Sequence, residues 1–574
     1  MNKKFYLNNI LLVVFCVCFF ISCDKTNSIN NEVEADGLLS VGVDDVEQLI
    51  SGEGLVNEAS LKRNKNIVDD IESFDGFDAM MANPDVSEVK AKLKANGKLA
   101  ASALTTNFKY LLLLYKVKPD NTEEFFVQRV MTSGSVADKI PANMNTKYNW
   151  YAISYNSTET PPLFSNPANS ANLTFELKNR DVLHASGTIT TSNTLNSNNR
   201  LAIKFRRLAA RIDVEFDARG MFAWYLDSVN VQMNVKQAVY NLKTGAVISN
   251  SDLLVKRYSS QTTNVEPASS GLYDRKVTSF YTAGGVTLAA AVPQLTKFRV
   301  VQHYSGGTAA TDAYMFGTGS NVIGSWTNTF VVSGAPAKSS YYTAKINLIQ
   351  KPITTGNTAA AVVNWGRGNL VDVNNTLGTP NRSTTTDLVG NNTNSGRRYR
   401  FRKQGDQYVN TANDWFRHND SQGGSIPLMV GSIVTDVRDR VDPCSFVYPA
   451  GVWKTPSQVN FNNLIGSNTT FNSNVYANGL IMGASSSAPL NSAPYPTNNL
   501  MLNRNGEGQN VLASILYTYS TGSTANSEYW ASEEFYFLRI GTGSTRATLS
   551  VQDPYDGVGQ WVRHDHKNIR CVRR

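Results

Sequence analysis

Short runs of aromatic, aliphatic and β-branched residues, separated by polar turns, constrain the fold of this 574-residue chain most strongly. Residues 110–115, 125–127, 150–155 and 341–348 each have the length and composition of a strand. Residues 211–216 alternate, with Ile212, Val214 and Phe216 on one face and charged residues on the other. Strands divided by Asn, Gly, Ser and Thr turns, with few helical stretches, predict β-sandwiches rather than alternating β/α units.

The N-terminus predicts export from the cytoplasm. Lys3 and Lys4 precede an apolar run at residues 10–21, and twelve apolar residues are fewer than the roughly twenty that span a bilayer. Residues 1–22 therefore have the pattern of a signal peptide. The Ser22-Cys23 junction resembles the bacterial lipobox, although Phe20 stands where Leu is commoner, and this resemblance implies lipid attachment at Cys23. The alternative is an ordinary secretory signal with a chance cysteine.

Length, charge and cysteine content set further bounds. The length predicts three or four domains. The formal charge of +8 becomes +6 once Lys3 and Lys4 are removed, and the basic residues are scattered, which argues against nucleic-acid binding. Outside the signal peptide and Cys23, Cys444 and Cys571 remain as one possible pair in an oxidising compartment. Two free buried thiols are the alternative.

Composition divides the chain into segments. Residues 23–98 are predicted to be a lipid tether and N-terminal segment, with a tether to about residue 44, then helical or irregular structure and a helix start at residues 83–85. Residues 99–216 and 217–352 are predicted as two β-sandwiches. Residues 353–396, rich in Asn, Thr and Gly, are predicted to be a linker that contains the cluster at residues 365–370. Residues 397–574 are predicted to be a separate unit.

The central region resembles the Bacteroidales fimbrillin-like lipoproteins, a family of fimbrial stalk, anchor and tip subunits. The residues that carry the resemblance are 110–115, 148–156, 181–185, 205–214 and the Tyr-rich strand at Tyr341. It implies a mainly β fold with two tandem transthyretin-like β-sandwiches.

The C-terminal region resembles the Fibrobacter succinogenes major paralogous domain. The matching pieces are Asp442-Pro443-Cys444, residues 451–456, residues 529–532 and residues 570–573. Ser445 replaces the usual proline, and about two residues are inserted before Gly451. The resemblance implies an α+β lectin-like domain in which Trp453 and Trp530 pack in the core around the disulfide.

No catalytic constellation is evident, and we predict that the protein is not an enzyme and needs no cofactor or metal. His564 and His566 share a strand face, but no third ligand stands at a familiar spacing, so a solvated loop is favoured. The acidic residues 553–557 favour an unoccupied turn over a calcium site. Trp415 and Trp561, flanked by polar residues, are the candidates for ligand binding.

These resemblances predict a surface lipoprotein of the outer membrane that serves as a fimbrial tip or accessory adhesin subunit. The family implies proteolytic removal of a first strand, with Arg63 as the leading cleavage site and Lys98 as the second, and acceptance of a strand from another fimbrial subunit. The chain, whose last strand would be pinned by Cys571, would accept rather than donate a strand, and its C-terminal domain would bind a glycan or protein ligand. The alternative is a non-fimbrial glycan-binding lipoprotein.

Overall fold

The computed structural model describes the following residues: 35–51, 71–82, 104–134, 139–193, 199–270, 272–302, 313–324, 332–355, 362–372, 397–401, 429–430, 433–434, 441–467, 471–472, 479–482, 500–503, 507–512, 516–520, 527–533, 536–540, 547–551 and 567–574. The fold is mainly β, as predicted. No helix in these ranges is long and apolar enough to cross a membrane.

The strands up to residue 350 are, in chain order, β1 (Gly37–Val46), β2 (Ile50–Ser51), β3 (Ile71–Ser73), β4 (Phe77–Ala82), β5 (Lys109–Val117), β6 (Glu123–Thr132), β7 (Lys139–Ala142), β8 (Lys147–Ser154), β9 (Thr174–Leu177), β10 (Leu183–Thr190), β11 (Asn199–Arg207), β12 (Ala209–Asp217), β13 (Ala223–Asn241), β14 (Val247–Arg257), β15 (Thr263–Asn264), β16 (Arg275–Ala283), β17 (Leu288–Ala291), β18 (Gln294–Gln302), β19 (Ala313–Phe316), β20 (Val332–Gly334) and β21 (Ser340–Gln350).

The remaining strands are β22 (Ile353–Thr355), β23 (Val363–Trp365), β24 (Leu370–Asp372), β25 (Tyr399–Phe401), β26 (Met429–Val430), β27 (Ile433–Val434), β28 (Trp453–Lys454), β29 (Phe471–Asn472), β30 (Gly479–Met482), β31 (Leu500–Asn503), β32 (Glu507–Leu512), β33 (Leu516–Ser520), β34 (Ser527–Trp530), β35 (Tyr536–Ile540), β36 (Ala547–Val551) and β37 (Val572–Arg573). One α-helix, α1 (Gln458–Ser467), lies within the described ranges. Short 3-10 turns occur at Ser170–Asn172, Arg219–Met221, Ser259–Gln261, Ala268–Ser270 and Pro443–Phe446.

The chain forms two compact units. The first contains residues 1–48, 97–209 and 238–250, and the second contains residues 49–96, 210–237 and 251–574. The predicted sandwich bounds stay predictions, although residues of the N-terminal segment are shared between the two units.

The first unit contains a sheet in which the described strands follow the order β6-β5-β8-β10-β11-β1-β7. The predicted strands at 110–115 and 150–155 form most of β5 and β8, which pair antiparallel. Side chains from the buried face of this sheet form one apolar cluster, in which Leu112, Leu114, Ile203 and Phe205 are at most 1% exposed. β11 buries every second residue, as expected for a strand with one apolar face, whereas β5 is buried on both faces, since Leu111 and Leu113 are also 0% exposed.

Glu123, at the start of β6, is a buried carboxylate that ties several elements of the first unit together. Its oxygens accept hydrogen bonds from Tyr151 Oη at 2.6 Å, from Asn149 Nδ2 at 2.7 Å and from Ser170, and Lys243 Nζ lies 3.0 Å away. Burial by itself raises the pKa of this carboxyl, but these donors outweigh burial and lower its pKa to about 2.

The second unit contains a β-sandwich. One sheet follows the order β15-β16-β12-β21-β4-β3, with β2 beside β21, and the other contains β14-β13-β18-β19. Side chains of both sheets form one core, where Phe77 of β4 contacts Phe298 and Phe316 of the other sheet at ring-centroid distances of 4.9 and 5.4 Å. β12 and β21, which contain the predicted runs at 211–216 and 341–348, lie parallel.

The charged face of β12 is buried inside the protein, whereas the charged face of a strand usually contacts water. Asp213, Glu215 and Asp217 are 6%, 1% and 0% exposed. Glu215 is paired with Arg275, and Asp217 with Arg219. Burial alone raises the pKa of Asp217, but the adjacent cations, Arg219 first, hold it well below its usual value. The alternation was predicted correctly, but it could not show that side chains distant in sequence would cover the polar face.

The prediction for the N-terminal segment was wrong in its described part. Residues 37–46, assigned mostly to a tether, form β1, and residues 71–82, assigned to helical or irregular structure, form β3 and β4. Leu39 and Val41 of β1 and Phe77 and Ala79 of β4 are buried. The partner strands β11 and β21 lie more than a hundred residues further along, so local composition did not reveal the pairing. The predicted helix start at residues 83–85 lies outside the described residues.

The C-terminal part of the second unit contains the predicted disulfide. Cys444 and Cys571 are bonded, with a Cα–Cα distance of 5.8 Å. Trp453 and Trp530, 0% and 2% exposed, belong to the same buried cluster as this bond, as predicted. Residues 353–355 and 362–372 of the predicted linker form β22, β23 and β24, and Trp365 is fully buried. The linker assignment is therefore wrong for these residues, because β23 pairs with β37 about two hundred residues away.

We predict that Glu123→Gln flattens the pH dependence of stability in the first unit. Since the pKa of Glu123 is about 2 in the folded state and ordinarily 4.5, its stabilising contribution is present above pH 4.5 and is lost as the pH falls from 4.5 towards 2. Glu123→Gln should lower the free energy of unfolding at pH 7 by about 1–3 kcal/mol, the cost of losing charged hydrogen bonds. Amide hydrogen exchange in β5, β6 and β8 between pH 7 and pH 3 measures both effects. Glu124→Gln, at an exposed neighbour, is the control, and an unchanged pH profile in Glu123→Gln would contradict the assignment.

Candidate functional site

Most of the residues singled out in the sequence fall outside the described part of the chain. These residues are Cys23, Arg63, Lys98, Trp415 and Trp561. Their proposed roles stay predictions. Cys444 and Cys571 are described and are bonded to each other. The site that the structure does describe is the position of β1 in the first unit.

β1 lies between two strands that follow it in the chain. It pairs parallel with β11, with Val41 opposite Leu201 and Val46 opposite Phe205. Its first half pairs antiparallel with β7, with Leu39 opposite Ile140. β1 therefore has backbone partners on both sides, although it is the first described strand of the chain.

The inward face of β1 is apolar. Leu39, Val41 and Val46 are 0%, 6% and 4% exposed, and Val43 packs against the same cluster while partly buried. We call the space that β1 occupies the β1 slot; its walls are Ile140, Ala142, Leu201, Ile203 and Phe205.

The burial of these side chains determines how much stability the first unit would lose if β1 were removed. Each fully buried aliphatic side chain contributes roughly 1.5–3 kcal/mol, so the three most buried residues contribute about 5–9 kcal/mol, as an upper estimate. The net stability of a typical domain is about 5–15 kcal/mol. An empty β1 slot would therefore leave the first unit marginal, and any process that removes β1 must refill the slot.

Polar groups of β1 are matched along the rim of the slot. Asp36 Oδ1 accepts a hydrogen bond of 2.6 Å from the backbone N–H of Met144, at the entry to the strand. Asp44, at a bulge where the register shifts between Val43 and Asp45, forms an ion pair with Arg200. Asp36 and Asp44 thus each have a defined partner along the rim.

Arg207 contacts the backbone at the end of the slot. Its Nε donates to the carbonyl oxygen of Glu47 at 2.9 Å, and its backbone N–H donates to Glu47 Oε2 at 3.1 Å. Its guanidinium also bonds to Asp181, which accepts a second hydrogen bond from Asn156 Nδ2 at 2.7 Å. Asp181 and Asn156 do not belong to β1, so Arg207 stays positioned by the rest of the sheet.

The C-terminal motif Asp442-Pro443-Cys444 forms a turn that positions the disulfide. Asp442 Oδ1 accepts from the backbone N–H of Cys444 at 2.9 Å and from Thr455 Oγ1 at 2.7 Å. Gly451 has φ +84°, a conformation that favours glycine. The paired pieces of the sequence motif therefore meet around one carboxylate and one disulfide.

The strand that follows Cys571 is paired on both sides. β37 lies between β23 and β28. Arg573 bonds to the buried carboxylate of Asp78 in β4, donates to the carbonyl oxygen of Gln350 at 3.2 Å and lies over the Trp453 ring at 5.2 Å. Residues 572–573 are thus integrated in the second unit, and β4 contributes to holding them.

Two further contacts join the C-terminal region to the sandwich of the second unit. The Tyr448 hydroxyl lies 2.7 Å from both Asp217 Oδ2 and Asn347 Oδ1, and burial raises the pKa of this phenol well above its usual value. Arg397 forms an ion pair with Asp274. Because these partners are buried, each lost contact would leave a desolvated polar group.

The residues of the β1 slot were missed in the sequence. The signal was present, since Leu39, Val41 and Val43 alternate with small or polar residues, as in a half-buried strand. The Asn-, Glu- and Ser-rich composition of residues 24–44, with few large apolar groups, favoured a tether instead. Within the described ranges, no group of three or more His, Cys, Asp or Glu residues is arranged to hold a metal ion.

No protein-family model and no curated protein matches this chain. Among solved structures, the model is similar to a proposed cell adhesion protein of Bacteroides fragilis, with TM-score 0.28, 9% identity, and coverage of 54% of this chain and 92% of that one. It is also similar to a proposed adhesin of Bacteroides thetaiotaomicron, with TM-score 0.24, 11% identity, and 35% and 71% coverage. The fimbrial anchor protein Mfa2 of Porphyromonas gingivalis gives TM-score 0.21, 11% identity, and 34% and 71% coverage. Similarity at this level transfers no function to the chain.

Proposed function

We propose that this protein reaches the outer membrane as a precursor lipidated at Cys23 and, once β1 has been removed, serves as a fimbrial tip or accessory adhesin subunit at the cell surface. In this proposal, β1 is released by proteolysis and a strand of another fimbrial subunit takes its place in the β1 slot. The C-terminal region presents the ligand-binding surface, for which Trp415 and Trp561 remain the candidates. The protein has no enzymatic activity in this proposal.

The observation that carries the proposal is the position of β1. A strand that precedes every other described strand, lies parallel to β11 and fills an apolar slot can leave after one cut on its C-terminal side. Its walls then offer unpaired backbone groups of β11 and β7 together with an apolar floor. This is the geometry that strand addition requires.

The paired state of β37 supports the role of acceptor. Residues 572–573 are hydrogen-bonded to β23 and β28, and Cys571 beside them is bonded to Cys444. Releasing them for donation to another subunit would break the buried Asp78–Arg573 pair. We therefore assign the described strands of the C-terminal region to binding and support rather than to strand donation.

The two candidate cleavage sites have different structural consequences. A cut after Arg63 falls between β2 and β3 and releases β1 with the two-residue β2. A cut after Lys98 also detaches β3 and β4, which carry the buried residues Phe77, Asp78 and Ala79. Because the loss of β4 would open the core of the second unit, Arg63 is the favoured site.

We predict that Cys23 carries lipid. Metabolic labelling of cells with a clickable fatty acid should mark the wild-type protein, and Cys23→Ala should abolish the label, because the thiol is the attachment atom. The Cys16→Ala variant is the matched control and should keep the label. Persistent labelling of Cys23→Ala would contradict the anchor.

We predict that the mature surface form begins at Asn64. N-terminal sequencing of protein from sheared fimbriae measures this directly, and Arg63→Ala should shift or block cleavage, whereas Lys98→Ala should leave the N-terminus unchanged. Retention of Cys23 at the N-terminus of fimbria-associated protein would exclude release of β1. A new N-terminus after Lys98 would instead mean that β4 leaves as well.

A further inference from the structure

We propose that the β1 slot selects its occupant by charge: the incoming strand is a segment of another polypeptide whose apolar alternation is bracketed by carboxylates at the positions of Asp36, Asp44 and Glu47, and it enters parallel to β11. This inference rests on the proposed function, because it names the chemistry of the partner that replaces β1.

The outer face of β11 is basic. Arg200, Lys204 and Arg206 are exposed and alternate with the inward residues Leu201, Ile203 and Phe205. Any strand that lies beside β11 must place its outward side chains next to these cations. A basic strand would be repelled there, and an acidic strand would be attracted.

Arg200 sets the position of one carboxylate. An added Cβ on Gly42 would meet the Arg200 guanidinium at 3.7 Å, which shows that this side chain runs over Gly42 to reach Asp44. A small residue at the position of Gly42 followed two residues later by an acid therefore fits the slot best. An added Cβ at this position makes ordinary van der Waals contact with the Arg200 guanidinium, so a small side chain is accommodated beneath it.

Arg207 makes two contacts with residue 47 of the strand in the slot. One does not depend on which side chain that strand carries there, and the other does. The bond from its Nε to the carbonyl oxygen of residue 47 is available to any strand, since it recognises the backbone. The bond from its backbone N–H to Glu47 Oε2 needs an acceptor side chain at that position. Asp181 holds the guanidinium in place, so the site is organised before the strand arrives.

The opposite end of the slot makes a similar demand. Asp36 accepts from the backbone N–H of Met144, and an added Cβ on Gly37 would approach the carbonyl oxygen of Ala142 to 3.1 Å. An acid followed by a small residue therefore fits the entry. The incoming strand should therefore begin with an acidic residue followed by a small one, continue with aliphatic residues at alternate positions, and carry acidic residues at the bulge and at its end.

Asp45 provides an internal contrast. It lies beside Asp44 and carries the same charge, but its Oδ1 is buried without a hydrogen-bond partner among the described residues. Asp45 lies opposite Lys204 in the register, but removal of its charge should cost less binding than removal of the Asp44 charge, which forms the ion pair with Arg200. Position, rather than net charge, then distinguishes the proposal from non-specific attraction between acidic and basic surfaces.

The test uses the uncleaved lipidated chain that begins at Cys23, purified in detergent, with a site-specific protease sequence inserted after Arg63. After cutting, the protein is equilibrated in mild denaturant with a fluorescent peptide of residues 35–48, and incorporation is followed by polarisation. A peptide with Asp44→Asn and Glu47→Gln should bind at least about fivefold more weakly, as expected for losing one surface ion pair and one charged hydrogen bond. The Asp45→Asn peptide, a control for a neighbouring charge, should bind more tightly than the peptide with Asp44→Asn and Glu47→Gln.

A double-mutant cycle gives the second readout. In the Arg200→Ala protein, the native and Asp44→Asn peptides should bind equally, because the partner of Asp44 is absent. Equal binding of all three peptides to the wild-type protein would overturn the charge selection while leaving strand exchange intact. If the native peptide fails to enter although cutting is complete, strand exchange itself is contradicted and this inference falls with it.

Discussion

The packing of β1 against β11 is the contact on which the rest of this account depends. It completes the apolar face of the first unit, yet it comes from a segment that precedes every other described strand. Leu39, Val41 and Val46 contribute an amount of burial comparable to the stability of a small domain. A single cut can therefore separate β1 from the strands that follow it, but the first unit needs the free energy that the burial of β1 contributes. Replacement of β1 by an equivalent strand reconciles these two properties.

The second unit imposes the complementary constraint, because β4 must remain. Phe77 packs edge-on against Phe298 and Phe316 in the sandwich core, and Asp78 binds Arg573 beside the disulfide-linked strand. β4 thus belongs to the sandwich and to the support of the C-terminal region at once. A cut between β2 and β3 satisfies both constraints, since it frees β1 and leaves β4 covalently attached.

The features predicted correctly are those encoded in local pattern or in few residues. Strands β5, β8, β12 and β21 were evident from apolar runs and alternation, and the two cysteines that remain outside the signal peptide and Cys23 allowed one pairing. Trp453 and Trp530 were assigned to the core from the motif resemblance. The proposed ligand-binding tryptophans and cleavage sites are untested, because they lie outside the described residues.

The features missed depend on contacts between distant segments. β1 contains two glycines and adjacent acids, so its composition is that of a loop, and its burial depends on β11 at residues 199–207. Similarly, nothing in the local sequence indicates that Asp217 is buried, but Arg219, Tyr448 and the surrounding strands enclose it in the structure. Period-two alternation shows which residues share a face, but it does not show what covers that face.

The central claim, that β1 must leave for assembly, is tested most directly by locking β1 in place. Gly42 and Ala202 are opposite each other in the parallel register, on the outer face. Neighbouring strands lie about 4.8 Å apart, within the Cα separation that a disulfide bridges. The measurement is the amount of Gly42→Cys/Ala202→Cys protein in fimbriae sheared from cells, against the two single variants. The account predicts that the locked protein is exported but absent from fimbriae while both single variants are incorporated; incorporation of the locked protein at the wild-type level would contradict it.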